Sequence, residues 1–158
     1  MTNATLSTSL LVDVHQIVDA LYRFGAGQDW NDRRLFESAF GADATLDFRQ
    51  PARRFGITIP PFEGRATIAD TVFTTTAELD TTHTITNPRV TVDGDQATLW
   101  ALVEAQHVTK GEPTRHLLLK NKYQVALSRA DDAWLIDRLV IENVWFTGDP
   151  TVLFPTAG

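Results

Sequence analysis

Apolar residues recur at helical spacing early in the chain and at strand spacing over its second half. Leu10, Leu11, Val14, Ile17, Val18, Leu21 and Tyr22 share one helical face. Ser7, Thr8 and Ser9 are candidate N-caps, and Gly25 and Gly27 predict the helix end. A short second helix is expected from Asp32 to Phe40, with Leu35, Phe36, Ala39 and Phe40 apolar. Alternation at Ala44, Leu46 and Phe48 predicts a strand over Asp43 to Arg49. Residues 50–63 carry Pro51, Pro60 and Pro61 and read as a long irregular loop. Gly64 to Leu79 predicts a third helix whose threonines weaken it.

From His83 onward the pattern is β, with strands expected over Thr84 to Val92, Ala97 to Thr109, Thr114 to Ser128 and Trp134 to Phe146. Asp93-Gly94-Asp95, Lys110-Gly111-Glu112-Pro113 and Ala130-Asp131-Asp132 are the turns between them. Helices first and a meander of long strands last predict one α+β domain over residues 1–158. A strongly bent sheet with helices on one face leaves a cavity suited to a ligand.

Composition narrows the possibilities. A formal charge of −6 with dispersed Lys and Arg argues against nucleic acid. The absence of cysteine excludes disulfides, thiolate metal sites and cysteine nucleophiles. No apolar run reaches the roughly 20 residues of a membrane span, and Met1 to Ser9 lacks the pattern of a signal peptide, so a cytoplasmic protein is expected. There is no phosphate loop, nucleotide fingerprint or nucleophile elbow. No cofactor or metal is expected: His107 facing His116 would supply only two ligands.

The element order resembles the SnoaL-like branch of the NTF2-like superfamily over almost the whole chain. The residues that carry the resemblance are Gln28-Asp29-Trp30 through Phe40, Thr81-Thr82-His83-Thr84, and the final strand from Trp134 to Trp145. The pattern is similar to scytalone dehydratase, bile-acid 7α-dehydratase and hexachlorocyclohexane dehydrochlorinase. The resemblance implies a cone in which N-terminal helices pack on a strongly curved antiparallel or mixed sheet and enclose a pocket. It places a catalytic aspartate at Asp29 and a catalytic histidine at His83. Phe24 stands where the bile-acid dehydratase has a tyrosine, Gln106 near a functional aspartate, and Asn143 at a functional arginine. Asn121 and Tyr123 fall at polar pocket positions of scytalone dehydratase.

The chemistry of the pair stands by itself. Histidine is a useful base near neutral pH, and a carboxylate on one ring nitrogen fixes its tautomer. The bland readings are a capping role for Asp29 and a surface place for His83, although Asn31 or Asp32 is better placed to cap.

The strand faces depend on register. With Gly111 and Glu112 as the loop, Thr109 faces Thr114 and His107 faces His116. One face then carries Ala101, Val103, Ala105 and His107 with His116, Leu118, Lys120 and Lys122. The other carries Trp100, Leu102, Glu104 and Gln106 with Leu117, Leu119, Asn121 and Tyr123. The second face is assigned to the cavity, since lysines and histidines suit solvent. The expected substrate-binding set is Asn121, Asn143, Gln106, Glu104, Trp100, Phe24, Trp30, Phe48 and Trp145, with Tyr123 beside the catalytic pair.

The leading expectation is a cofactor-independent lyase or isomerase acting on a small, largely apolar substrate. Dehydration is favoured, with dehydrohalogenation, ketone isomerisation and polyketide ring closure as variants. A non-catalytic ligand-binding or accessory domain is the alternative, and epoxide hydrolysis using Asp137 and Arg138 a weaker one. The apolar tail Val152-Leu153-Phe154-Pro155 and the outer sheet face are expected contacts of a homodimer or homotrimer.

Overall fold

A computed structural model describes residues 7–155, so the expectation for the residues before Ser7 lies outside it. Helix α1 spans Thr8–Asp29, and the Ser7 hydroxyl accepts from the Leu10 N–H at 3.2 Å. Its apolar stripe buries Ile17, Ala20, Leu21 and Phe24. The helix does not end at its glycines as expected. Gly25 and Gly27 lie inside it because other chain segments come too close for a side chain. A Cβ on Gly27 would stand 2.5 Å from the Phe36 backbone nitrogen, and one on Gly25 would stand 3.1 Å from the His83 Cβ. The four further residues carry Asp29 to the helix end.

Helix α2 is only Arg33–Glu37, capped by Asp32, whose carboxylate accepts from the Leu35 N–H at 2.9 Å. Strand β1, Phe40–Asp47, begins three residues before the expected start. The expected long loop holds two elements: helix α3, Arg49–Arg54, and the short strand β2, Phe62–Glu63. Pro51 and Ala52 bury the inner side of α3, which explains an ordered segment in a proline-containing stretch. Helix α4 is Arg65–Thr75, shorter than expected. Its threonine hydroxyls at 71, 75 and 76 bond back to carbonyls one turn earlier.

Four long strands follow: β3 (Leu79–Asp93), β4 (Gln96–Thr109), β5 (Glu112–Ala130) and β6 (Ala133–Gly148). They join β1 and β2 in one mixed sheet, ordered β2-β1-β6-β5-β4-β3, with only β1 and β6 parallel. Register shifts at Thr86/Arg89, Val108/Thr109, Lys120/Asn121 and Ala126/Leu127 mark bulges, which bend strands and let the sheet wrap. The concave face packs on α1, α2 and α4 around Phe36, Phe40, Leu99, Leu127, Trp134 and Ile136. The Trp134 indole N–H donates to Asp13 at 3.1 Å, and Arg129 stacks 4.6 Å from the indole, fastening α1 across the sheet.

The first pairing correction is at the β4–β5 hairpin. Thr109 pairs with Glu112 and His107 with Leu117, because a bulge follows the turn at Lys110-Gly111. The expected pairing is off by one residue, which exchanges one strand's faces. The inward set is Ala101, Val103, Ala105 and His107 from β4, with Leu117, Leu119, Asn121 and Tyr123 from β5. The β5 half agrees with expectation and the β4 half is reversed.

The second correction concerns the tail. Val152, Leu153 and Phe154 are buried against Phe55, Leu117 and Leu119 of the same chain. Phe154 stacks on Phe48 with ring centroids 5.9 Å apart. The tail closes the chain's own cavity instead of standing free for a neighbour. Among the described residues, no helix is long and apolar enough to cross a membrane.

Candidate functional site

The cavity between the sheet and the helices holds about 350 Å³. Phe24 of α1, Leu46 of β1, Phe62 of β2 and Leu153 and Phe154 of the tail form apolar walls. His83, His107, Asn121 and Tyr123 supply polar groups from three adjacent strands. None of the lining residues is Asp, Glu, Lys or Arg.

Asp29 sits at the last position of α1, where the helix dipole disfavours a carboxylate. Three donors compensate. The Thr81 hydroxyl donates to Oδ1 at 2.9 Å, the His83 backbone N–H to Oδ2 at 2.7 Å, and the His83 ring contacts Oδ1 through Nδ1 at 2.7 Å. Burial pushes the Asp29 carboxyl up, but these bonds and the nearby imidazole outweigh it and hold it below its usual value. Asp29 is therefore ionised at neutral pH and accepts only. Nδ1 must then carry hydrogen, which leaves the Nε2 lone pair available when the ring is neutral. The His83 side chain is 3% exposed, and Phe24 packs edge-on against it with centroids 6.0 Å apart. Asp32, not Asp29, caps α2.

His107 belongs to the site, which the expected register excluded. Its ring stands 6.2 Å from that of His83, and its Nδ1–H is positioned to donate to the Leu117 carbonyl at 3.3 Å. Burial pushes it down to about 4, and the His83 imidazole acts in the same direction. His107 is thus neutral at physiological pH, so one ring nitrogen donates and the other can accept. The signal that could have found it was present: apolar Ala101, Val103 and Ala105 precede it on one face. Tyr123 is buried, and burial pushes its phenol well above the usual value, while the Asn121 amide opposes that effect.

Phe24, Phe48, Asn121 and Tyr123 stand where expected, on the cavity wall. Asn143 is buried directly across from Asn121 on β6 and bonds to it, behind the lining layer. Trp100, Glu104 and Gln106 are corrected to the outer face, since the β4 register reverses them. Trp100 is 46% exposed, and Glu104 pairs with Lys120 across the strands. Trp145 is also outside, 47% exposed, with Lys120 5.3 Å from its ring. Trp30 caps α1 and is 75% exposed, beside an outer cleft that reaches Asp29. Asp137 and Arg138 are both exposed and do not line the cavity. Among the described residues, no three of His, Cys, Asp and Glu converge as metal ligands.

Comparison with known proteins agrees with the fold. The "Terrestric acid biosynthesis cluster protein E" of Penicillium crustosum is 30% identical over 149 residues, covering 90% of each chain. A solved putative aromatic ring hydroxylase from Novosphingobium aromaticivorans superposes with a TM-score of 0.79 at 22% identity, covering 90% of this chain and 97% of that one. A putative scytalone dehydratase from the same organism gives 0.75 at 18%, covering 88% and 89%. Hexachlorocyclohexane dehydrochlorinase LinA-type3 from Novosphingobium barchaimii gives 0.73 at 20%, covering 91% and 94%. These structures share the NTF2-like fold. The SnoaL-like domain model matches residues 9–140, and the chain belongs to the SnoaL-like family.

Proposed function

We propose that the protein is a cofactor-independent lyase or isomerase, with dehydration of a small uncharged hydroxy-carbonyl compound as the favoured reaction. The observation that carries this reading is the Asp29–His83 bond of 2.7 Å beside a largely apolar cavity. His83 Nε2 takes a proton from the carbon next to a carbonyl, and Asp29 stabilises the imidazolium that forms. The electron pair of the broken C–H bond becomes the new C=C bond as the C–O bond to the leaving hydroxyl breaks. The imidazolium returns its proton to that oxygen, and water departs. Tyr123 holds its proton too firmly to serve as the acid, so it donates a hydrogen bond instead. A relative named for a biosynthetic cluster supports a small-molecule substrate.

The test is a panel of uncharged β-hydroxyketones, followed by NMR for α-hydrogen exchange in D2O and for enone formation. His83→Ala and Asp29→Asn are expected to slow both by about 10²-fold or more while the fold persists. A His83→Ala protein as active as wild type would refute the proposal, as would a wild type inert towards every member.

A further inference from the structure

Asn143 and Asn121 are both buried and face each other across β6 and β5. The register slips between Lys120 and Asn121, so the ladder is interrupted there and backbone carbonyls are free to accept from a side chain. Asn143 Nδ2 lies 3.0 Å from the Trp145 carbonyl oxygen, 3.4 Å from that of Lys120, and 3.0 Å from Asn121 Oδ1. Carbonyls only accept, so this end of Asn143 must be its NH2 group. The Asn121 atom that meets it must then be the oxygen. That turns the Asn121 NH2 group away from β6 and towards the Tyr123 phenol, on which it acts.

Gln50 of α3 secures the backbone of Asn143. Its Oε1 accepts from the Asn143 N–H at 2.7 Å, and its Nε2 donates to the Asn143 carbonyl at 3.4 Å. The Asn143 Oδ1 is itself buried without a partner, a cost that an apolar residue of similar shape would avoid. The Asn143 NH2 satisfies the Trp145 and Lys120 carbonyls, and the same group also fixes the orientation of Asn121. On the cavity side, Tyr123 follows Asn121 on the same strand face, and both line the cavity. The Asn121 N–H beside the phenol oxygen leaves the phenolic hydrogen for the cavity.

We propose that Asn143 is a positioning residue that fixes the polarity of the Asn121 amide. The Tyr123 phenol, held by the Asn121 N–H, then offers its hydrogen to the cavity and selects a neutral ligand with a carbonyl oxygen there. The absence of Lys and Arg from the lining favours a ketone over a carboxylate. This deepens the proposed function by naming the group the site holds, and its test needs no turnover.

The probe is 2-tetralone carrying ¹³C at its carbonyl, with tetralin as the apolar control. Binding is measured by calorimetry and the bound carbonyl stretch by infrared difference spectroscopy. Wild type is expected to bind the ketone about tenfold more tightly than tetralin and to lower the stretch relative to hexane. Asn143→Leu cannot donate, so Asn121 is free to reverse towards the vacated carbonyls and to present its oxygen to the phenol. Ketone preference and the lowered stretch are then both lost, while tetralin affinity stays within about twofold. If circular dichroism shows that Asn143→Leu is unfolded, Tyr123→Phe removes the phenolic donor from the cavity side and is expected to lose the ketone preference and the lowered stretch. The proposal fails if wild type prefers tetralin or binds both equally. It also fails if the folded variants keep the ketone preference and the lowered stretch. Catalytic failure of His83→Ala would not bear on either readout.

Discussion

His107 ties the fold to pH in a way that can be measured directly. Its side chain is 5% exposed, and burial holds it down to about 4, from the usual 6.5. The unfolded chain places the same ring in water, where it titrates near its ordinary value. Between pH 6.5 and 4 the unfolded state binds a proton that the folded state refuses. Stability is therefore fully present above pH 6.5 and declines as pH falls towards 4. The gap from 6.5 to about 4, at about 1.4 kcal/mol for each pH unit, makes a loss of about 3 kcal/mol. Asp29, whose folded value lies below 3.8, loses its own contribution beneath this window. Urea unfolding of wild type and His107→Gln at half-unit steps from pH 4 to 7.5 isolates the effect. The difference between the two proteins cancels the groups they share. The wild-type curve is expected to fall more steeply than that of the variant by about 3 kcal/mol across the window. Parallel curves would refute the burial argument, and with it the neutral state assigned to His107 in the site.

Gly27→Ala is expected to lower unfolding stability by about 1–3 kcal/mol, because its Cβ meets the Phe36 backbone at 2.5 Å. Gly25→Ala meets the His83 side chain at 3.1 Å, so it is expected to keep most of the stability in the same urea assay and to lose turnover of the β-hydroxyketone panel. Glu104→Gln removes an outer ion pair worth at most about 1 kcal/mol and is expected to leave 2-tetralone affinity within about twofold. A large loss there would restore Glu104 to the cavity.

The order of elements was legible because periodicities of 3.6 and 2 record which faces are buried. Three of the long β strands were read within two residues of their ends, while β3 begins five residues before its expected start. Asp29 and His83 were also legible as candidates, since a helix exit and an expected strand entrance carry them and a family resemblance points to both, although His83 is the fifth residue of β3. Their contact, however, depends on α1 running through two glycines to its end, and the sequence alone reads glycine as a stop. Only the packing of Phe36 and His83 shows that these glycines serve close approach. The inner face of β4 was equally hidden. An irregularity after Lys110-Gly111 leaves the pairing one residue from the expected one, sending Trp100, Glu104 and Gln106 outward and His107 inward. A period of two leaves both faces of a strand open from sequence. Tertiary structure decides between them, because the register is set by a local hairpin geometry whose consequences extend along the whole strand.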